Sequence, residues 1–198
     1  MLKTLSYIIL FFLGSASFIP KMDVSKFKES TINLSSESYL KIKGKTNVST
    51  FECQFDMTAI SEAINITYKD EDSIVKFNDT KLILPNLEFN CGGKAINKDF
   101  NKLLNTEEFP EITLKLKKLS KSKTKANSIT ATIEINISNI VNTYTIPISV
   151  INNNNLHVSG VMPLDINDFS LTAPTKMLGM VKVSPKIEIQ FSLKILEP

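Results

Sequence analysis

The chain has no tryptophan, one histidine, two cysteines and only six glycines, and each scarcity removes a class of chemistry. A structural zinc site needs four nitrogen or sulfur ligands, more than Cys53, Cys91 and the distant His157 supply. His157 is flanked by Leu156 and Val158, with its ring on the polar side of an alternating run. Neither cysteine neighbours it, so no nucleophile and base stand together and no catalytic residue is assigned. Gly92-Gly93 precedes Lys94, but the strand, loop and helix spacing of a phosphate-binding loop is missing. The formal charge is only +3, with the lysines spread along the strands, which excludes a nucleic-acid surface. No cofactor and no metal is expected, and the chain is not read as an enzyme.

Long hydrophobic runs are also lacking, with one exception. Lys3 is followed by an apolar stretch from Leu5 to Leu13 and by Ser15-Ala16-Ser17. The stretch is far shorter than the roughly 20 residues that span a bilayer. It has the order of a secretory signal peptide over residues 1–17, cleaved after Ser17. No cysteine follows it, so a lipid-anchored lipoprotein is not expected. A periplasmic or secreted protein is. Residues 18–198 then form one domain, long enough to bury a core and without a linker.

What the sequence has in abundance is alternation. Ile129, Ala131, Ile133, Ile135 and Ile137 point one way, with polar residues between them. That is period two, and a helix would scatter the same side chains around its axis. Tyr144, Ile146, Ile148 and Val150 repeat the pattern, and Asn152–Asn155 supplies a turn. Leu156, Val158, Gly160, Met162 and Leu164 follow, and a last strand carries Val181 to Ile195. Earlier strands centre on Ile64/Ile66/Tyr68, Val75/Phe77, Leu82/Leu84 and Ile112/Leu114/Leu116. Antiparallel strands with one apolar face close into a barrel or pack as two sheets, and the pattern by itself allows both.

Two segments break the rhythm. Leu40, Ile42 and Gly44 alternate with lysines, Thr46-Asn47 interrupts, and Phe51, Cys53 and Phe55 resume. This reads as one strand running into another through a bend, with Gly44 where the sheet coils tightly or admits a close neighbour. Residues 97–104 read as a helix of two turns at most, with Asn97 as N-cap and Phe100, Leu103 and Leu104 on one face. It would plug a barrel end or act as a lid.

Cys53 and Cys91 each sit at the edge of an apolar alternation, 38 residues apart. In an oxidising compartment the pair is read first as a disulfide, worth about 3–4 kcal/mol from the loop it closes. Two separate buried thiols are the other reading. Lys69-Asp70-Glu71-Asp72 is a solvated hairpin tip, or less simply a calcium site without a known loop's spacing. Lys115 to Lys125 holds six lysines. They either discourage edge pairing or dock to anionic head groups in a transient membrane-surface contact.

In order and spacing, four segments resemble the YceI-like family. They are Gly44 to Cys53; Leu87 to Cys91 with the helix and Phe109-Pro110-Glu111-Ile112; Ala131 to Leu164 with its Gly160; and Phe169 to Pro174 with Leu178 to Val183 and the closing strand. The resemblance covers about Glu37 to Leu196. It implies a single antiparallel, lipocalin-like β-barrel of about eight strands with one short helix, holding an isoprenoid-type lipid such as a polyprenyl chain or quinone. The inward rows then offer a lipid pocket: Phe51, Phe55 and Phe89 from the first half, Leu114 and Leu116, then Ile133, Ile135, Ile146 and Ile148, and Phe191 from the last strand. The alternative is a non-catalytic structural or interaction module of the cell envelope whose barrel is filled by these same side chains. The sequence sets no oligomeric state.

Overall fold

In the computed structural model, residues 26–122, 128–153, 155–176 and 178–196 are described. The expected signal peptide and part of the basic segment, residues 123–127, lie outside them. The strands are β1 (Lys28–Leu34), β2 (Tyr39–Lys45), β3 (Thr50–Phe55), β4 (Ile64–Glu71), β5 (Ile74–Asn78), β6 (Lys81–Pro85) and β7 (Phe89–Asn90). The helix α1 (Lys94–Leu103) follows. Then come β8 (Glu111–Lys121), β9 (Ile129–Ile137), β10 (Ile140–Asn153), β11 (Asn155–Asp165), β12 (Thr175–Lys176), β13 (Val181–Lys182) and β14 (Lys186–Leu196).

All pairings are antiparallel. The order β1-β4-β5-β8-β9-β10-β11-β14 returns to β1 and closes a ring of eight strands, so the barrel and not the sandwich is formed. Closure removes the unpaired edges that an open sheet would expose. Two positions in the wall are filled by two short strands each. Both β1 and β2 pair with β14, and the ladder crosses their gap where Ser35 N donates to Lys194 O (2.9 Å) and Lys194 N donates to Ser38 Oγ (3.0 Å). Both β5 and β6 pair with β8, whose own bulge between Leu116 and Lys118 absorbs the step between them. Leu116 N donates to Thr80 O (3.1 Å) across that break.

The stretch from Leu40 to Phe55 is a hairpin and not a bent strand. Gly44 stands opposite Phe51, and Lys45 opposite Thr50. Thr46 Oγ1 accepts from Ser49 N (2.9 Å) and Val48 N (3.1 Å), which turns the chain back on itself. Gly44 is needed because a Cβ there would lie 2.2 Å from Phe51 Cζ. Gly160 plays the same part opposite Phe191, whose Cζ would lie 2.7 Å from a Cβ. Each glycine admits an aromatic ring across the strand, not another backbone.

β8 pairs on both sides, so its lysines do not guard an edge. Lys115 and Lys117 instead reach Glu134 at 3.9 and 3.8 Å on the outer face. At the β4–β5 tip, Glu71 takes Lys69 at 3.0 Å and Lys76 at 2.7 Å. These contacts hold its carboxyl below the usual range.

Candidate functional site: an apolar cavity beneath the helix

The interior holds a cavity of about 90 Å³ toward the end where α1 lies. Its walls come from Leu40 and Ile42 of β2, Phe51 of β3, Leu84 of β6, Ile112 and Leu114 of β8, Ile135 and Ile137 of β9, Met162 and Leu164 of β11, and Ile187 and Ile189 of β14. Phe100, Leu103 and Leu104 close it from the helix, and Ile166, Leu171 and Val183 from the connection between β11 and β14. Ser184 is the one lining residue with a polar side chain. Such a site has no hydrogen-bonding demands on most of its surface and selects for shape and hydrophobicity.

The roof is built locally. α1 starts four residues earlier than the sequence suggests, because Gly93 and not Asn97 is its N-cap. Asn97 lies in the first turns, and its Oδ1 accepts from Cys91 N (2.7 Å), tying the helix back to the strand before it. At the other end, Asn105 adopts the left-handed conformation (φ 51°), with Asn105 N donating to Lys102 O and Thr106 N to Asn101 O. This is the Schellman pattern that ends helices, with asparagine in the position glycine usually takes. Ser138 Oγ donates to Leu104 O (2.7 Å) and fixes that end to the β9–β10 turn. Phe100 meets Phe89 with ring centroids 5.2 Å apart, and Phe89 meets Phe55 edge-on at 5.0 Å.

Cys53 and Cys91 are bonded to each other, which replaces the reading of two separate thiols. The bond joins β3 to the segment that leads into α1. Outside the cavity, Tyr144 Oη donates to Asp168 Oδ2 (2.8 Å) and its ring stacks on Phe169. Burial, and then the Asp168 carboxylate, push the phenol well above its ordinary range. His157 is half-buried on the outer face with Nε2 against Ser192 Oγ, so it is a strand residue with a hydrogen-bond partner and less exposed than the sequence suggests.

All ten side chains expected to form a lipid pocket belong to the core or pack against it. Phe51, Phe89, Leu114 and Ile135 line the cavity. Phe55 lies behind Phe89. Leu116, Ile133, Ile146, Ile148 and Phe191 do not line the cavity; their positions along the strands place them farther from α1. Ile166 and Leu171 sit in an irregular connection where no period marks an inward side chain; Val183, expected in the last strand, stands instead between β13 and β14.

A groove of about 420 Å³ runs outside the cavity between α1 and Ser170–Thr175. Lys102, Asp99, Thr172 and Thr175 give it polar edges, and Leu103 and Leu171 line both it and the cavity. Those two side chains are therefore the partition between inside and outside.

Residues 84–195 match the model of the YceI-like domain. The chain belongs to the YceI-like family. Its barrel is similar to that of BcnA from Burkholderia cenocepacia, at 17% identity and a TM-score of 0.62, over 83% of this chain and 99% of that one. It is also similar to a polyisoprenoid binding domain from Saccharophagus degradans, at 12% identity and a TM-score of 0.59, over 87% of this chain and 100% of that one. At these identities the likeness is one of fold. No curated protein matches the chain in sequence. The family match begins at Leu84, so it spans β7, the helix and the long strands that enclose this YceI-like barrel's cavity.

Proposed function

We propose that this YceI-like protein is an exported binding protein that carries or sequesters an isoprenoid-type lipid, a polyprenyl chain or a quinone, inside its barrel. The observation that carries the reading is the cavity under α1, walled by apolar side chains and roofed by a helix none of whose residues is fully buried. The helix is half-buried and tethered at both ends, so moving it has a cost, which each entering CH₂-sized group offsets by roughly 0.8 kcal/mol. The solved barrel described as polyisoprenoid binding supports the choice of ligand class. The ten inward side chains named from the sequence would contact the tail, beginning with Phe51, Phe89, Leu114 and Ile135.

The volume of about 90 Å³ sets a condition on this reading. It is smaller than the roughly 150 Å³ cavity that accepts benzene in another protein. A lipid tail therefore requires the interior to widen, and the partition at Leu103 and Leu171 is where widening would join the cavity to the groove. The same volume favours the rival reading, a non-catalytic envelope module with a filled core. Mass spectrometry of organic extracts from native-purified protein, with titration by a quinone and a polyprenol, separates the two. The carrier reading expects extracted lipid or saturable uptake; protein that is free of lipid and takes up neither probe leaves the filled module. Export is checked by N-terminal sequencing of the mature protein, which is expected to begin at Phe18.

A further inference from the structure

Val48 on the β2–β3 turn and Leu178 and Met180 on the β12–β13 turn stand in solvent together at the roof end of the barrel, apart from the exposed Val141 and Leu87 on other elements. The two turns are one unit. Asn47 Nδ2 donates to Met180 O (2.9 Å), Lys182 N donates to Asn47 Oδ1 (2.9 Å), and Asn47 N donates to Lys182 O (3.1 Å). Thr46 bridges Val183, which also lines the cavity. Leu178 is fully exposed and holds a left-handed backbone at φ 55°. That conformation suits glycine or asparagine, and a leucine there bears strain while burying nothing in the monomer.

Charge points to what covers this apex. Residues 38–51 and 170–187, which build it, contain no aspartate or glutamate and six lysines. Lys41 and Lys43 are drawn to Glu52 at 2.9 and 3.8 Å. Lys45, Lys182 and Lys186 are exposed and make no ion pair among the described residues. An apolar tip flanked by the unpaired ammonium groups of Lys45 and Lys182 is complementary to the interface of an anionic bilayer, where the tip meets acyl chains and the lysines meet head groups. We propose that the Val48, Leu178 and Met180 apex docks to an anionic lipid bilayer and so brings the roofed end of the barrel against the membrane. The basic β8–β9 pair, the candidate suggested by the sequence, has Lys121 and Ile129 at the opposite end of the barrel, and two of its lysines are already paired with Glu134.

The proposal rests on the carrier reading only for its purpose. Docking is measured on vesicles without cargo, so its failure and the failure of lipid uptake are read separately. The test is co-sedimentation of the mature protein with vesicles of phosphatidylglycerol and phosphatidylcholine in equal parts, against phosphatidylcholine alone. Binding is expected on the anionic vesicles only. Leu178→Asp with Met180→Asp is expected to lower affinity about tenfold or more, as loss of two inserted side chains should. Lys45→Glu with Lys182→Glu is expected to lower it about tenfold or more as well. Lys118→Glu with Lys121→Glu, at the other end, is expected to leave it unchanged. Absence of binding to anionic vesicles, full binding by the Leu178 and Met180 variant, or loss of binding only in the Lys118 and Lys121 variant would overturn the proposal.

Discussion

Tyr144 couples the wall of the barrel to the connection above it. Its hydroxyl donates to Asp168, and burial and that carboxylate raise its pKa. The folded protein therefore keeps a proton that the unfolded chain releases near pH 10. This contribution is complete below that value and is lost as pH climbs toward the folded-state pKa. Tyr144→Phe is expected to cost about 0.5–1.5 kcal/mol at neutral pH, from the lost hydrogen bond. It should also flatten the alkaline fall in stability, measured by urea unfolding across a pH series. The two inward glycines allow a second comparison. Gly44→Ala and Gly160→Ala should each cost about 1–3 kcal/mol, because a ring must move. Gly44→Ala displaces a ring that lines the cavity, that of Phe51, so it should reduce lipid uptake more than Gly160→Ala, which displaces Phe191 farther from it.

At the scale of elements, α1 and its tether close one end of the cavity. The disulfide holds the start of the helical segment to β3, and it closes a 38-residue separation. Cys53→Ser with Cys91→Ser is expected to lower stability by about 3–4 kcal/mol and reduce the melting temperature accordingly. Filling the space beneath the helix is a separate test. Ile135→Trp should abolish lipid uptake in titration, at a cost of about 1–3 kcal/mol because the free volume is small. The same substitution at Thr132, whose Oγ1 meets Thr145 on the other face, should leave uptake intact. β9 was legible in full, because five apolar residues in strict alternation admit one register. α1 was legible in existence and in its apolar face, but not at its start. Asn97 has the side chain of an N-cap, while the true cap, Gly93, offers no side-chain signal. β1 went unread for a related reason: most of Lys28–Leu34 is exposed, so no apolar row announces it.

For the molecule as a whole, alternation alone left barrel and sandwich open, and the family resemblance decided between them. The interior faces were correct as a set, yet only four of the ten side chains named for a lipid pocket meet the cavity. Period two identifies which residues point inward; it carries no information on how far along the axis the empty space lies. That depends on α1 and on the irregular segment between β11 and β14. The ring also has an order of assembly written into it. β14 is the partner of β11 on one side and of β1 and β2 on the other, so the seam is made by the last strand of the sheet. Until that strand has been synthesised, β11 and β2 have unmatched backbone and the barrel has no means of closing. A chain in this condition cannot complete its fold, so closure of the ring waits for its final strand.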